Sequence, residues 1–167
     1  MSTYCQLART ALHEWLESGE TKAGETRFGQ RAACFVSLHE QDGSLRGCIG
    51  TLSPGYPDLA QEIQANAVAA GTRDPRFPAV TLDELPGLKF DVSVLKRPEP
   101  IADESGLDPS RYGVIVVSKG RRGVLLPGLD GIDTVDQQLN IARRKAGIAR
   151  GEPVQLSRFE VEWHHDD

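Results

Sequence analysis

Leu45-Arg46-Gly47-Cys48-Ile49-Gly50 follows the turn Gln41-Asp42-Gly43-Ser44 and the alternating run Cys34-Phe35-Val36-Ser37-Leu38. An Asp-Gly pair between two such runs predicts a β-hairpin over residues 32–52, with the six-residue stretch as its second strand. Strand side chains alternate between faces, so Leu45, Gly47 and Ile49 share one and Arg46, Cys48 and Gly50 the other. An arginine and a thiol therefore lie on one face, spaced by glycines that leave room for another group to approach the backbone. A binding or reactive site can be built this way on a sheet.

Outward from the hairpin, Leu7, Ala8, Ala11, Leu12, Trp15 and Leu16 form a stripe at helical spacing, with Ser2 or Thr3 as cap and Gly19 as stop. Residues 19–31 are polar and glycine-bearing and read as a loop. After Ser53-Pro54-Gly55-Tyr56-Pro57, a second helix is expected from Asp58 to Ala70, ended by Gly71. Asp74-Pro75-Arg76-Phe77-Pro78 is irregular, because its prolines fix φ and push the preceding residues toward extended conformations. Phe77 is expected to anchor this loop in the core. Thr81 to Leu85 reads as a helical turn, and Lys89 to Leu95 as a strand with Phe90, Val92 and Val94 on one face. Gly113 to Ser118 is a second Val/Ile-rich strand, joined by a tight connection, Gly120-Arg121-Arg122-Gly123, to Val124-Leu125-Leu126.

Thr134 and Gln137 make a capping box for a third helix with the stripe Val135, Leu139, Ala142 and Ala146, ended by Gly147. A final strand is expected from Gln155 to Trp163. Helices and strands mix without a regular βαβ rhythm. The reading is an α+β fold, mainly antiparallel sheet flanked by helices.

The 167 residues, 39% hydrophobic and 26% charged, suit one globular domain with a real core. No apolar run approaches the roughly 18 residues of a membrane span. The N-terminus carries no secretory pattern, so a cytoplasmic protein is expected. Three cysteines without CxxC spacing argue for reduced thiols rather than a disulfide framework or a zinc site. A net charge of −5 disfavours a general nucleic-acid binder. Motifs of the GxxxxGK[ST], GxGxxG, GxSxG and HExxH types are absent, and no cofactor is indicated. His164-His165-Asp166-Asp167 reads as a frayed chain end, and no metal is assigned.

The candidate site residues divide between two chemistries. Cys48 is a reactive or ligand-gripping thiol, with Arg46 favouring its thiolate, or else a small packed hydrophobe. The nearest histidine in sequence is His39, across the hairpin turn. Arg46 either grips a carboxylate or phosphate in bidentate fashion or pairs structurally, with Asp74 as a partner. Asp74 and Arg76 lie in a proline-stiffened loop of the kind that carries site residues, or form a locally satisfied turn. Arg143, Arg144 and Lys145 form an anion patch or simply answer the helix dipole.

Phe35-Val36-Ser37-Leu38, Leu45 to Thr51, Ala69-Ala70, Asp74-Pro75-Arg76-Phe77, Ser93-Val94-Leu95, Leu125-Leu126-Pro127 and Lys145-Ala146-Gly147-Ile148 together resemble the AMMECR-type family, the protein A of AmmeMemoRadiSam systems. The likeness runs from the first helix to the final strand, and its LRGCIG segment is the most specific piece. It implies one α+β domain over residues 1–167 with a larger and a smaller lobe, and places LRGCIG and the Asp74–Phe77 loop near a cleft between them. It also implies a Memo-type protein and a radical S-adenosylmethionine enzyme as partners, but no established activity. The chain departs from the pattern at Gly128 to Asp133, where members carry a Gln-Val step and a tryptophan.

Two functions follow. In the first, a small-molecule site, Cys48 contacts the reacting group and Asp74 orients an arginine or takes a proton. Arg46, Gly47, Gly50 and Arg76 bind the substrate. In the second, the domain is a non-catalytic adaptor that docks on those partners. Nucleic-acid binding through Arg121, Arg122, Arg143, Arg144 and Lys145 is the least favoured.

Overall fold

The computed structural model describes residues 2–21 and 25–166, so residues 22–24 of the expected loop and Asp167 lie outside the described residues. In chain order the first elements are α1 (Thr3–Ser18), β1 (Ala33–His39), β2 (Leu45–Gly50), α2 (Leu59–Thr72), β3 (Lys89–Leu95) and β4 (Glu99–Ile101). They are followed by β5 (Gly113–Ser118), β6 (Arg121–Leu125), α3 (Val135–Ala146), β7 (Gln155–Phe159) and β8 (Val161–His165). Two four-stranded sheets result, ordered β2-β1-β3-β8 and β4-β7-β5-β6. The α+β class read from the sequence is the one observed. The chain divides into two compact units, residues 1–94 with 162–167, and residues 95–161.

In the first unit, α1 and α2 cover one face of the β2-β1-β3-β8 sheet. Leu7, Ala8 and Leu12, with Ile63, Ala67 and Ala70, join Val36, Leu38, Phe90, Val92 and Val94 in one buried cluster. The Ser2 hydroxyl caps α1 by accepting from the Tyr4 amide at 3.2 Å, and Gly19 closes it with φ 74°. Two glycines set how closely these layers meet. A Cβ on Gly47 would collide with the carbonyl oxygen of Ala70, so β2 lies directly against the backbone of α2. A Cβ on Gly71 would sit 2.6 Å from both methyls of Leu12. Gly71 is therefore no helix stop: α2 continues through it to Thr72, and the glycine serves the crossing of α1 and α2.

In the second unit, α3 packs on β5 and β6 around Val114, Val116, Leu125, Leu139 and Ala142. The capping box of Thr134 and Gln137 forms as expected. The hairpin turn is Lys119-Gly120, with φ of 50° and 78°. Arg121 and Arg122 belong to β6, not to the connection, because the two left-handed residues already reverse the chain. Gly123 repeats the device of Gly47, since its Cβ would meet the carbonyl oxygen of Ala142.

Other expectations need correction. The strand expected over 155–163 is two strands, one in each sheet, interrupted at Glu160. There the Glu160 carbonyl accepts from the Lys96 amide at 2.9 Å, and its carboxylate pairs with Lys96 and Arg111. Val80, only 2% exposed, is the core anchor of the loop after α2, whereas Phe77 is half-buried. The turn expected at 81–85 forms at Thr81–Glu84, where the Glu84 amide donates to the Thr81 carbonyl at 3.2 Å, but it runs on into a 3-10 turn at Leu85–Gly87. Asp166 is not frayed. Its carboxylate accepts from the Phe90 amide at 2.9 Å and from Arg9 at 3.0 Å, tying the chain end to β3 and α1. Among the described residues, no helix is long and apolar enough to cross a membrane.

Gly47→Ala and Gly123→Ala are each expected to lower unfolding stability by about 1–3 kcal/mol, because backbone must move to admit the methyl group. Gly151→Ala, where nothing lies within 4 Å, is expected to be neutral in the same urea titration.

Candidate functional site

β2 is an edge strand, and its outward-facing groups at Cys48 are met by the loop after α2. The Cys48 amide donates to Asp74 Oδ2 at 3.0 Å, and its carbonyl accepts from Arg76 Nη2 at 3.5 Å. With those groups pointing away from β1, Cys48 and its register partner Ser37 form the close, non-hydrogen-bonded type of antiparallel pair. Their side chains meet accordingly: the Ser37 hydroxyl donates to Cys48 Sγ at 3.1 Å. Cys48 is half-buried, on the sheet face away from the helices.

Asp74 is the centre of this arrangement. Besides the Cys48 amide, its carboxylate accepts from the Arg76 amide at 3.0 Å, from Arg76 Nε at 3.1 Å and from Arg76 Nη2 at 2.8 Å. The Arg76 fork, aided by the two amides and opposed by burial, holds the Asp74 carboxyl well below the usual carboxylate range. The Asp74 side chain is 2% exposed while that of Arg76 is 57% exposed, so a buried anion presents a cation to solvent.

Arg46 is committed elsewhere. Its Nε and Nη2 donate to the two carboxylate oxygens of Glu84 at 3.0 and 3.3 Å, and Nη1 donates to the Pro78 carbonyl at 2.8 Å. The structural partner of Arg46 is thus Glu84, while Asp74 pairs with Arg76. Arg46 in turn holds the Glu84 carboxyl below its ordinary range. The space beside Gly47 is filled by α2, and the space over Gly50 by the ring of its register partner Phe35. Neither glycine leaves a vacancy for a ligand.

The same open face carries Asp91, which the sequence reading passed over, and His39, which it named only as the nearest histidine. His39 Nδ1 lies 3.2 Å from Asp91 Oδ2, and His165 Nδ1 lies 2.9 Å from Asp91 Oδ1. One carboxylate on β3 therefore faces imidazoles on both neighbouring strands. The signal was present in the alternation: Asp91 interrupts the apolar positions Phe90 and Val92, and His39 is two residues beyond Ser37.

The other thiols are of a different kind. Burial pushes Cys34 up to about 12 and Cys5 up to about 11. The basic residues of the second unit largely close α3: Arg121 reaches the Gly147 carbonyl and Glu152, and Lys145 reaches the Val124 carbonyl at 2.9 Å. Arg143 donates to the carbonyls of Ala149 and Glu152 at 2.9 and 2.8 Å.

Residues 5–164 match the model of the AMMECR1 family, a span that includes parts of both units. A Thermotoga maritima protein is 55% identical over 139 residues, covering 83% of this chain and 80% of its own length. A Clostridium acetobutylicum protein is 42% identical over 98% of this chain, which spans only 36% of that relative. The crystal structure of the uncharacterized protein PH0010 from Pyrococcus horikoshii has a TM-score of 0.84 at 30% identity, over 98% of this chain and 90% of that one.

Asp74→Asn is expected to destabilise the protein by about 1–3 kcal/mol at neutral pH, since it removes a buried charged acceptor. Asp74 stays ionised in the fold where an unfolded aspartate, near about 3.9, takes up a proton. Its contribution is therefore complete above about pH 4 and is lost on acidification below that. Urea midpoints of the two proteins should accordingly converge as the pH falls.

Proposed function

The chain belongs to the AMMECR1 family, and on that premise we propose that the Cys48 face of β1 and β2 binds a small anionic molecule and brings its reacting group to the thiol. The observation that carries the reading is the half-buried Cys48 sulfur with the Ser37 hydroxyl donating to it at 3.1 Å. The hydroxyl fixes where the sulfur lies, on a face that a small molecule can reach. Arg76 supplies the cation for the anionic moiety, because its exposed guanidinium engages Asp74 through Nε and Nη2 alone. In this reading Asp74 positions Arg76 and the backbone of Cys48 and stays ionised rather than taking up a proton. Arg46 braces the hairpin through Glu84, while Gly47 and Gly50 set where β2 lies. The site acts in the cytoplasm with a Memo-type protein and a radical S-adenosylmethionine enzyme, the partners implied by the family likeness.

A second reading is the adaptor. It is favoured by the Clostridium acetobutylicum relative, in which the matching segment belongs to a much longer chain. Here the Cys48 strand is a packing device and the contacts of Asp74 and Arg46 are purely structural.

Alkylation of the native protein, mapped by mass spectrometry, separates the two. Cys48 is expected to react while Cys5 and Cys34 remain protected. Relative to free cysteine, Cys48 should prefer iodoacetate over iodoacetamide, and Arg76→Met should reduce that preference several-fold. A Cys48 that stays unmodified in the folded protein overturns the small-molecule reading. Partner binding retained in Cys48→Ala but lost in surface variants supports the adaptor.

A further inference from the structure

We infer that His39, oriented by Asp91, is the acid–base group of the Cys48 face and exchanges a proton with the molecule bound there. The inference rests on the proposed binding role of that face and adds to it the residue that makes the site respond to pH.

Three observations converge on His39. First, it lies on the correct side of the sheet. Ser37 faces Cys48, and residues two apart on a strand share a face, so His39 is the next side chain along β1. Two residues of strand rise put it about 7 Å from the Ser37–Cys48 pair. At that backbone separation both side chains can reach one small molecule held at Cys48. Second, the β1–β2 register shifts between Leu38 and His39. The extra residue is Arg46 on β2, since Leu38 pairs with Gly47 and His39 with Leu45, so the bulge re-aims Arg46 and leaves His39 in the alternation of β1 on the face of Ser37. Third, its ring is held. Asp91 Oδ2 lies 3.2 Å from Nδ1, and a carboxylate there keeps the proton on Nδ1 and leaves the Nε2 lone pair for another partner. The side chain is 28% exposed, so it is supported by neighbours yet open to solvent.

His165 shares Asp91 but belongs to β8, on the far side of β3 from β1, and so lies farther from β2. Glu40 is the chain neighbour of His39, and Arg46, across the hairpin, lies 4.0 Å from Glu40 and is bonded to Glu84. Asp91 is thus a positioning residue for two histidines, of which one adjoins the thiol.

The test is the pH dependence of the iodoacetate-to-iodoacetamide rate ratio at Cys48, again normalised to free cysteine. A protonated His39 about 7 Å away should raise that ratio about threefold in a well-solvated site. The ratio is therefore expected to fall as the pH rises from about 5.5 to 8, where imidazoles lose their charge. His39→Gln should make it flat, and Asp91→Asn, which releases the ring, should change the size of the fall. His165→Gln should keep the fall. A fall that persists in His39→Gln, or a flat ratio in the wild-type protein, overturns this assignment while leaving Cys48 reactive. If Cys48 is not alkylated at all, the reading of the face as a reactive site fails, and the role of His39 fails with it.

Discussion

The carboxylate of Asp74 lies at the edge of the four-stranded sheet, where β2 would otherwise present unpaired backbone groups. An exposed strand edge invites pairing with another chain. Here the edge at Cys48 is closed by a side chain and its own counter-ion: Asp74 takes the amide, and Arg76 reaches the carbonyl. Pro75 stands between them and restricts the backbone so that the carboxylate and the guanidinium meet as a bidentate pair. Because Cys48 is fixed through its backbone, its sulfur is fixed as well, with Ser37 the first atom it meets across the pair. The geometry of the thiol thus follows from an edge-capping interaction.

Close backbone approach is the second constraint, and both units meet it in the same way. In each, a glycine in the second strand of a hairpin lies against a helix carbonyl, Gly47 against Ala70 and Gly123 against Ala142. In each, a strand glycine also lies beneath the phenylalanine opposite it in register, Gly50 under Phe35 and Gly113 under Phe159. The ring covers backbone that the glycine leaves bare, which offsets part of the weakness of glycine in a strand. The LRGCIG segment carries both devices within six residues, and this accounts for its glycines without any ligand.

What the sequence made legible were features with local causes. The Asp-Gly turn, the helix caps at Ser2 and Thr134 and the alternation of β1 and β3 depend on neighbours a few residues away, and all are present. Features that depend on a distant partner were not legible. Gly47 and Gly71 read alike as breaks or openings, because the atoms that exclude a Cβ belong to Ala70 and Leu12. The partner of Arg46 is 38 residues away, beyond the nearer carboxylate of Asp74. The break at Glu160 preserved the period-two pattern of Phe159, Val161 and Trp163, so nothing in the alternation marked the change of sheet. At the candidate site, Cys48, Asp74 and Arg76 came together as residues of one neighbourhood. Ser37 and Asp91 were passed over because a serine and an aspartate in alternating strands look like ordinary solvent-facing positions.

The composition of the open face is therefore a consequence of register. The helices occupy one side of the sheet, and every second residue of β1, β2 and β3 is left on the other, which gathers Ser37, His39, Cys48 and Asp91. Slipping β2 by one residue would exchange its two faces, turning Cys48 toward α2 and Gly47 toward the open side. The contact between β2 and the Ala70 carbonyl forbids that slip, since of these two residues only glycine fits there. The Asp74 carboxylate resists it as well, because it accepts one particular amide of the strand. Stability and site geometry thus rest on the same two contacts. A substitution that loosens β2 from α2 acts on the thiol face even though it touches none of the residues on it.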